Sequence, residues 1–297
     1  MKTNTHLASF VFAAVLATPL VSATNELRGT RKEPVLTARH LKQGASLKVF
    51  NATGAVRFIG WSHDSLEVRG NVSPRNRYYA VSDSIGAKIG MEEARAGDTP
   101  THGDLTIFVP RGTQVSVKTV NGNIDATDVS GWFYTVAGGV HIDGTAKTIE
   151  VEAMRGDVDV SVATPWLHVR AGAGHVILHG AVEDADVTTI GGALDIATAG
   201  IMRGQFASVS GDIHWAGAPA SRAILDFSNH SGAVEFALPR STVGTFALST
   251  VSGMISNGFQ QVRPVSQSDR SVRITFGRDG ADVTARTFKG AIRLRPE

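Results

Sequence analysis

The fold is decided by residues 115–257, where a four-residue group ending in glycine recurs: TVNG (119–122), TVAG (135–138), AMRG (153–156), AGAG (171–174), TIGG (189–192), SVSG (208–211), NHSG (229–232) and TVSG (250–253). Successive final glycines are 16 to 21 residues apart. A regular period of this kind is typical of chains built from small units that stack on one another. The repeat therefore has to be interpreted before any single motif.

Two columns are apolar in every unit when the units are aligned on the final glycine. Five residues before the glycine stand Val117, Phe133, Val151, Val169, Val187, Phe206, Phe227 and Leu248. Two residues after it stand Ile124, Val140, Val158, Val176, Leu194, Ile213, Val234 and Ile255. Most positions between them are polar. This period of two, on both sides of the glycine, is typical of β-strands with one buried face.

The glycine marks a change of direction. Residues three positions before it are small and would face inward with the first apolar column. From that position to the second column is a step of five residues. Side chains of a straight strand alternate between its faces, so residues an odd number apart point to opposite faces, and the inward face cannot continue straight through the glycine. We therefore predict a corner there, since glycine adopts backbone angles that other residues avoid. The predicted fold is all-β, a parallel β-helix (β-solenoid) of about ten short turns with irregular capping hairpins.

The rest of the chain predicts an exported protein with one domain. Residues 1–23 combine Lys2, an apolar stretch and small residues before Ala23, which is typical of a cleaved secretory signal peptide and predicts a periplasmic or secreted protein. Residues 24–44 are predicted to be a flexible lead-in. Residues 45–297 form a single β-solenoid domain, with an N-terminal turn and cap (45–110), regular repeats (111–257) and closing turns (258–297). Within the cap, we expect strands at 65–72 and 78–82 to form a hairpin.

Composition excludes several classes of protein. The absence of cysteine rules out disulfides, a lipid-attachment site and a thiol nucleophile. The formal net charge of +2 is too small to draw the chain to nucleic acid or an anionic membrane. No stretch after the signal peptide approaches the length of about 20 apolar residues that a membrane helix needs. Recognisable catalytic, phosphate-binding and dinucleotide motifs are missing, so we expect no cofactor.

Three sequence features resemble a known bacterial family. They are GAVRFIGW (54–61), FVPRG (108–112) and the repeated pattern TVxGxI, with its variant SVSGDI (208–213). Together with the signal peptide they are similar to the β-strand-repeat family of unknown function labelled "putative adhesin". The resemblance covers nearly all of residues 45–297. It implies a β-helical envelope protein without established catalytic residues.

A column of acidic residues and histidines follows the corner. Three residues after each glycine stand Asp125, His141, Asp159, Ile177, Asp195, His214, Glu235 and Ser256. Stacking would bring the first three side chains together, and likewise the set Asp195, His214 and Glu235. Such carboxylate–imidazole–carboxylate sets could bind zinc or sense pH. They could equally be a surface ladder in which histidine separates carboxylates that would otherwise repel one another.

An aromatic pair forms the second candidate site. Trp132 and Tyr134 fall on the outward face, with Lys118 and Arg170 in the same column as Tyr134. An exposed pair of this type on a sheet is suited to contact a sugar or a protein partner. The alternative is that capping strands near residues 78–110 cover both rings.

Three functions remain open on these grounds. We favour a non-enzymatic, exported cell-envelope protein that contacts an envelope protein or glycan through a flat β-face. A polysaccharide-active enzyme is the first alternative, and it would need carboxylates clustered in a cleft. An envelope-stress sensor is the second, and only the histidine column would support it. The sequence leaves the oligomeric state open.

Overall fold

The computed structural model describes residues 33–74, 76–83, 85–93, 102–260 and 262–297. The predicted signal peptide and the first part of the lead-in, residues 1–32, lie outside the described residues. Every regular element in the described ranges is a β-strand. These ranges contain no helix that could cross a membrane. The predicted all-β class is confirmed.

The alternation of apolar and polar residues produces short strands throughout. The N-terminal strands are β1 (Glu33–His40), β2 (Ser46–Thr53), β3 (Val56–Trp61), β4 (Ser65–Val72), β5 (Asn76–Ser82), β6 (Gly86–Glu93) and β7 (Gly103–Pro110). The repeat contains β8 (Gln114–Asn121), β9 (Ile124–Thr127), β10 (Ser130–Ala137), β11 (Val140–Thr145), β12 (Thr148–Arg155), β13 (Val158–Ala173), β14 (Val176–Thr189), β15 (Leu194–Ala199), β16 (Arg203–Ser208), β17 (Ile213–Ala216), β18 (Ile224–Asn229), β19 (Val234–Leu238), β20 (Gly244–Thr250) and β21 (Ile255–Asn257). The last strands are β22 (Ser266–Ser268), β23 (Ser271–Phe276), β24 (Ala281–Thr287) and β25 (Ile292–Pro296).

Parallel pairing arranges these strands in two columns that meet at the corners. The first strand column runs in the order β6, β2, β8, β10, β12, the second halves of β13 and β14, β16, β18, β24 and β20. The second strand column runs β7, β3, β9, β11, the first halves of β13 and β14, β15, β17, β19, β25 and β21. Each coil contributes one strand to each column, which is the arrangement of a β-solenoid.

The predicted apolar columns form the core. Val151, Val169 and Val187 are fully buried, and the strand register places Val169 between the other two. The other members of both columns are buried as well, with the exception of the half-buried Ile255 at the end of the stack. Burial of matched aliphatic rows supplies the main favourable free energy of such a fold.

The order of coils departs from the order of the sequence at both ends of the stack. The coil of β24 and β25 lies between the coil of β18 and β19 and the coil of β20 and β21. At the other end, the coil of β2 and β3 lies between β6–β7 and β8–β9. Antiparallel strands then cover the outermost coils, since β23 pairs with β20 and β5 pairs with β6.

The N-terminal cap differs from the prediction in two respects. Residues 33–40, within the segment predicted to be a flexible lead-in, form β1 and pair antiparallel with β4. The predicted hairpin of residues 65–72 and 78–82 is wrong, because β4 pairs with β1 and β7 while β5 pairs with β6. A turn explains the second difference, since the Asp83 carboxylate accepts hydrogen bonds of 2.9 Å from the backbone N–H groups of Ile85 and Gly86. This Asx turn sets the register of the β5–β6 hairpin instead.

The corner glycines are required chiefly by contact between coils. They form a glycine column, in stack order Gly103, Gly54, Gly122, Gly138, Gly156, Gly174, Gly192, Gly211, Gly232, Gly290 and Gly253. A Cβ atom built on any member after the first would meet the carbonyl oxygen of the member before it. Only Gly54, Gly138, Gly156 and Gly174 also have positive φ. The predicted reason, unusual backbone angles, therefore applies to a minority of corners, whereas close stacking applies to every corner after Gly103.

Candidate binding face

The aromatic pair lies on the outer face of the first strand column. In β10, Phe133 and Thr135 are fully buried, and the alternation of the strand turns Trp132 and Tyr134 outward. The two rings lie 5.5 Å apart at an interplanar angle of 32°. Both side chains are partly exposed, less than the sequence interpretation assumed.

Neighbouring strands hold these rings in place. The Trp132 indole N–H donates a hydrogen bond of 3.1 Å to Oε1 of Glu152 on β12. From the other side, Nζ of Lys118 on β8 lies 5.0 Å from the centroid of the Tyr134 ring. Hydrogen bonding and the attraction of a cation to a ring face both restrict side-chain rotation. The pair is therefore presented in a fixed orientation.

The predicted binding residues come together as one row across four strands. Lys118, Tyr134, Glu152 and Arg170 are aligned by the parallel register of β8, β10, β12 and β13. Within the described residues, Arg170 has no ion-pair or hydrogen-bonded partner, and its side chain is exposed. Among the described residues, the row thus has an unpaired cation, Arg170, two strands away from Tyr134.

A second tryptophan, Trp166, belongs to this face and was missed in the sequence. It is 39% exposed and lies at the start of the second half of β13. A shallow groove of about 300 Å³ lies between Trp132 and Trp166. It is lined by Ser46, Leu47, Lys48, Gln114, Val115, Ser116, Gly131, Trp132, Thr148, Glu150 and Trp166. Trp166 stands eight residues before its glycine and Trp132 six before. Both distances are even, so the alternation of the strand places both side chains on the outward face, and this could have identified Trp166.

A buried histidine supports Trp166. The His168 ring lies 5.7 Å from the Trp166 ring and almost parallel to it, at 9°. His168 is only 8% exposed, and its Nδ1 lies 3.3 Å from a carboxylate oxygen of Asp186. Its Nε2 is buried and has no hydrogen-bond partner among the described residues. The stack fixes the orientation of the Trp166 indole.

The first carboxylate–histidine set is only partly assembled. His141 Nδ1 lies 3.4 Å from Asp159, and its Nε2 lies 3.7 Å from Asp143. Asp125 is in register with His141, but its carboxylate lies 3.4 Å from the guanidinium of Arg57. An arginine from the neighbouring coil therefore compensates the charge of the outer carboxylate.

The second set is rearranged in a similar way. The Asp195 carboxylate contacts two imidazoles. Its Oδ1 lies 2.7 Å from Nδ1 of His214, and its Oδ2 lies 2.6 Å from Nε2 of His175. Glu235 instead pairs with Arg295 at 2.5 Å. The hydrogen bond from that guanidinium holds the pKa of the Glu235 carboxyl below its usual value. His175 directly follows a corner glycine, outside the column that the sequence pattern singled out.

Neither set forms a metal centre in the structure. The described residues contain no group of three or more His, Asp or Glu side chains arranged to hold a metal ion. Zinc binding by this column therefore stays a prediction. What the geometry provides is a ladder in which carboxylates contact imidazoles and arginines, so that like charges are kept apart along the stack.

Sequence comparison connects the chain with one family. The profile of the family described as Toastrack DUF4097 matches residues 99–295, which contain the whole of the repeat. No curated protein matches the chain in sequence.

Several solved structures have a similar course of the chain at low sequence identity. One from Bacteroides fragilis, described as a "putative adhesin", has 10% identity and a TM-score of 0.41, covering 89% of this chain and 98% of that one. Another "putative adhesin", from Parabacteroides merdae, has 9% identity and a TM-score of 0.45, covering 88% and 96%. A "putative lipid binding protein" from Parabacteroides distasonis has 9% identity and a TM-score of 0.39, covering 88% and 96%. At these similarities none of the names transfers to this chain.

Proposed function

The chain belongs to the Toastrack DUF4097 family, and from this premise we propose that it is an exported, non-enzymatic cell-envelope protein of the adhesin type. It contacts an envelope protein or glycan through the outer face of its first strand column. The observation that carries this proposal is the fixed Trp132–Tyr134 pair, held from two neighbouring strands, with the exposed Arg170 two strands away in the same row.

Rigidity supports a binding role. The pair stands on β10, which is paired with β8 on one side and β12 on the other. Because the backbone is already ordered, binding a partner costs little conformational entropy. Aromatic side chains with a polar edge are the residues that most often anchor protein and carbohydrate contacts. A preformed, flat surface of this kind favours recognition of an extended partner.

The chemistry of the face favours binding over cleavage. Hydrolysis of a glycosidic bond by the usual route needs two carboxyl groups on opposite sides of the bond. Glu150 is the single carboxylate that lines the groove between Trp132 and Trp166. We therefore assign the protein no enzymatic activity and no cofactor. A periplasmic or secreted location, and a stack of about ten turns, belong to the same proposal.

Retention on isolated bacterial envelopes tests this function. We expect the mature chain to sediment with the envelope fraction and the Trp132→Ala, Tyr134→Ala double variant to lose most of that retention. Val209→Ala is the matched control, because Val209 is an exposed apolar residue that directly follows β16 of the same strand column, several coils away. Equal retention of all three proteins, with unchanged thermal stability, would refute the proposal.

A further inference from the structure

The groove between Trp132 and Trp166 has polar groups that the protein leaves unused. In the described part of the chain, the side chains of Lys48, Gln114, Thr148 and Glu150 form no hydrogen bond or ion pair with one another or with any neighbour. By contrast, Glu152 one row away is engaged with the Trp132 indole. The groove therefore combines donors and acceptors that remain available to a ligand.

The two indoles are spaced along this groove in a defined way. Trp132 on β10 is in register with Glu150 on β12, and Glu150 is in register with His168 on β13. Trp166 lies two residues before His168 on the same strand. Two strand spacings and two residues of strand rise separate the Cα atoms of the tryptophans by about 12 Å. This span is close to that of two or three linked sugar rings.

The composition of the groove selects among ligand classes. A lipid or an apolar helix that covered the groove would bury the polar ends of Lys48, Gln114, Thr148 and Glu150 without giving them hydrogen-bond partners. The charges of Lys48 and Glu150 offset one another, so the groove has no net preference for an anion or a cation. Flat aromatic rings with hydroxyl-matching polar groups between them suit the apolar face and polar edge of a pyranose.

From these observations we propose that the groove binds a neutral oligosaccharide, with one pyranose ring against Trp132 and another against Trp166. Lys48, Gln114, Thr148 and Glu150 hydrogen-bond the hydroxyl groups between them. The His168 stack positions the Trp166 ring and does not touch the ligand. The inference rests on the proposed binding function and specifies the chemical class of its partner.

The experiment uses the full mature chain and three soluble probes: cellotriose, triacetylchitotriose and an acidic trigalacturonate. Binding is measured by calorimetry and by quenching of tryptophan fluorescence. We expect a neutral probe to bind, and its Kd to rise at least about tenfold in Trp166→Ala and in Trp132→Ala. Glu150→Gln, which keeps the side-chain shape, should also weaken binding. Met154→Ala is the matched control, since Met154 is an exposed apolar residue on β12 outside the groove.

Several outcomes would overturn the inference. It is wrong if neither neutral probe binds at about 10 mM, a concentration that detects even very weak affinity. It is also wrong if binding is indifferent to both tryptophan substitutions, or if the acidic probe binds more tightly than the neutral ones. Envelope retention that depends on Trp132 and Tyr134, without binding of any sugar, would leave the proposed function standing with a protein partner and would refute the glycan.

Discussion

Gly192 stacks directly on Gly174, and a Cβ atom on Gly192 would overlap the carbonyl oxygen of Gly174 in the adjacent coil. A Cβ atom on the adjacent Gly191 would lie 3.8 Å from its nearest neighbour, the carbonyl oxygen of Gly172, which is an ordinary contact. Neither of the two has positive φ, so backbone conformation does not distinguish them. The requirement for glycine at the corner is therefore one of space between coils.

This contrast gives a matched pair of substitutions. We expect Gly192→Ala to lower the free energy of unfolding by about 3 kcal/mol or more, because two backbones must move apart. Gly191→Ala should change it by less than about 1 kcal/mol. Urea denaturation followed by circular dichroism measures both. Equal effects of the two substitutions would contradict the steric explanation.

The buried hydroxyl before the corner is a second determinant of stability. Thr189 is fully buried and donates a hydrogen bond of 3.0 Å to the carbonyl of Gly192. Thr189→Val keeps the shape and removes the donor, so we expect a loss of about 1–2 kcal/mol in the free energy of unfolding. Thr188→Val, at the exposed neighbouring position, is the control. If both variants unfold at the same denaturant concentration, the hydroxyl does not stabilise the corner.

Acid sensitivity is expected from the pair of Glu235 and Arg295. Hydrogen bonding by the guanidinium lowers the pKa of Glu235 in the folded protein below the ordinary glutamate value of 4.5. A depressed folded-state pKa contributes stability above the unfolded value and loses it as pH falls through the folded value. The difference in melting temperature between wild type and Glu235→Gln should thus be largest near neutral pH and shrink below about pH 4.5.

Glu183→Gln is the control for this pH dependence. Glu183 is exposed and its carboxylate has no ion-pair partner in the described part of the chain. Its substitution should leave the shape of the stability profile unchanged. A Glu235→Gln profile that runs parallel to wild type at all pH values would show that the ion pair contributes nothing.

Zinc binding provides the remaining test of the histidine column. Since Arg57 and Arg295 occupy the outer carboxylates of the two sets, we expect zinc to bind wild type no more tightly than the His141→Ala, His214→Ala variant. Calorimetric titration of both proteins in a non-chelating buffer measures the difference. Tight binding by wild type alone would establish the metal site that the sequence pattern suggested.

The internal repeat determined the interior of the protein without reference to the structure. Each coil carries its own copy of the apolar columns and the corner glycine, so local alternation was enough to place Val151, Val169 and Val187 in one buried row. The row from Lys118 to Arg170 followed from the same alignment. Such features are local and repeated many times, which makes the pattern unambiguous.

Only the tertiary structure decided which coil lies on which at the two ends. Similar units can pair with one another in several orders, so the sequence could not place β24 between β18 and β20. For the same reason it missed Arg57 and Arg295, which reach carboxylates 68 and 60 residues away in the chain. The groove between Trp132 and Trp166 likewise combines residues of β2, β8, β10, β12 and β13. Stacking brings these strands to one surface, and the alternation within a single strand does not show which strands lie beside it.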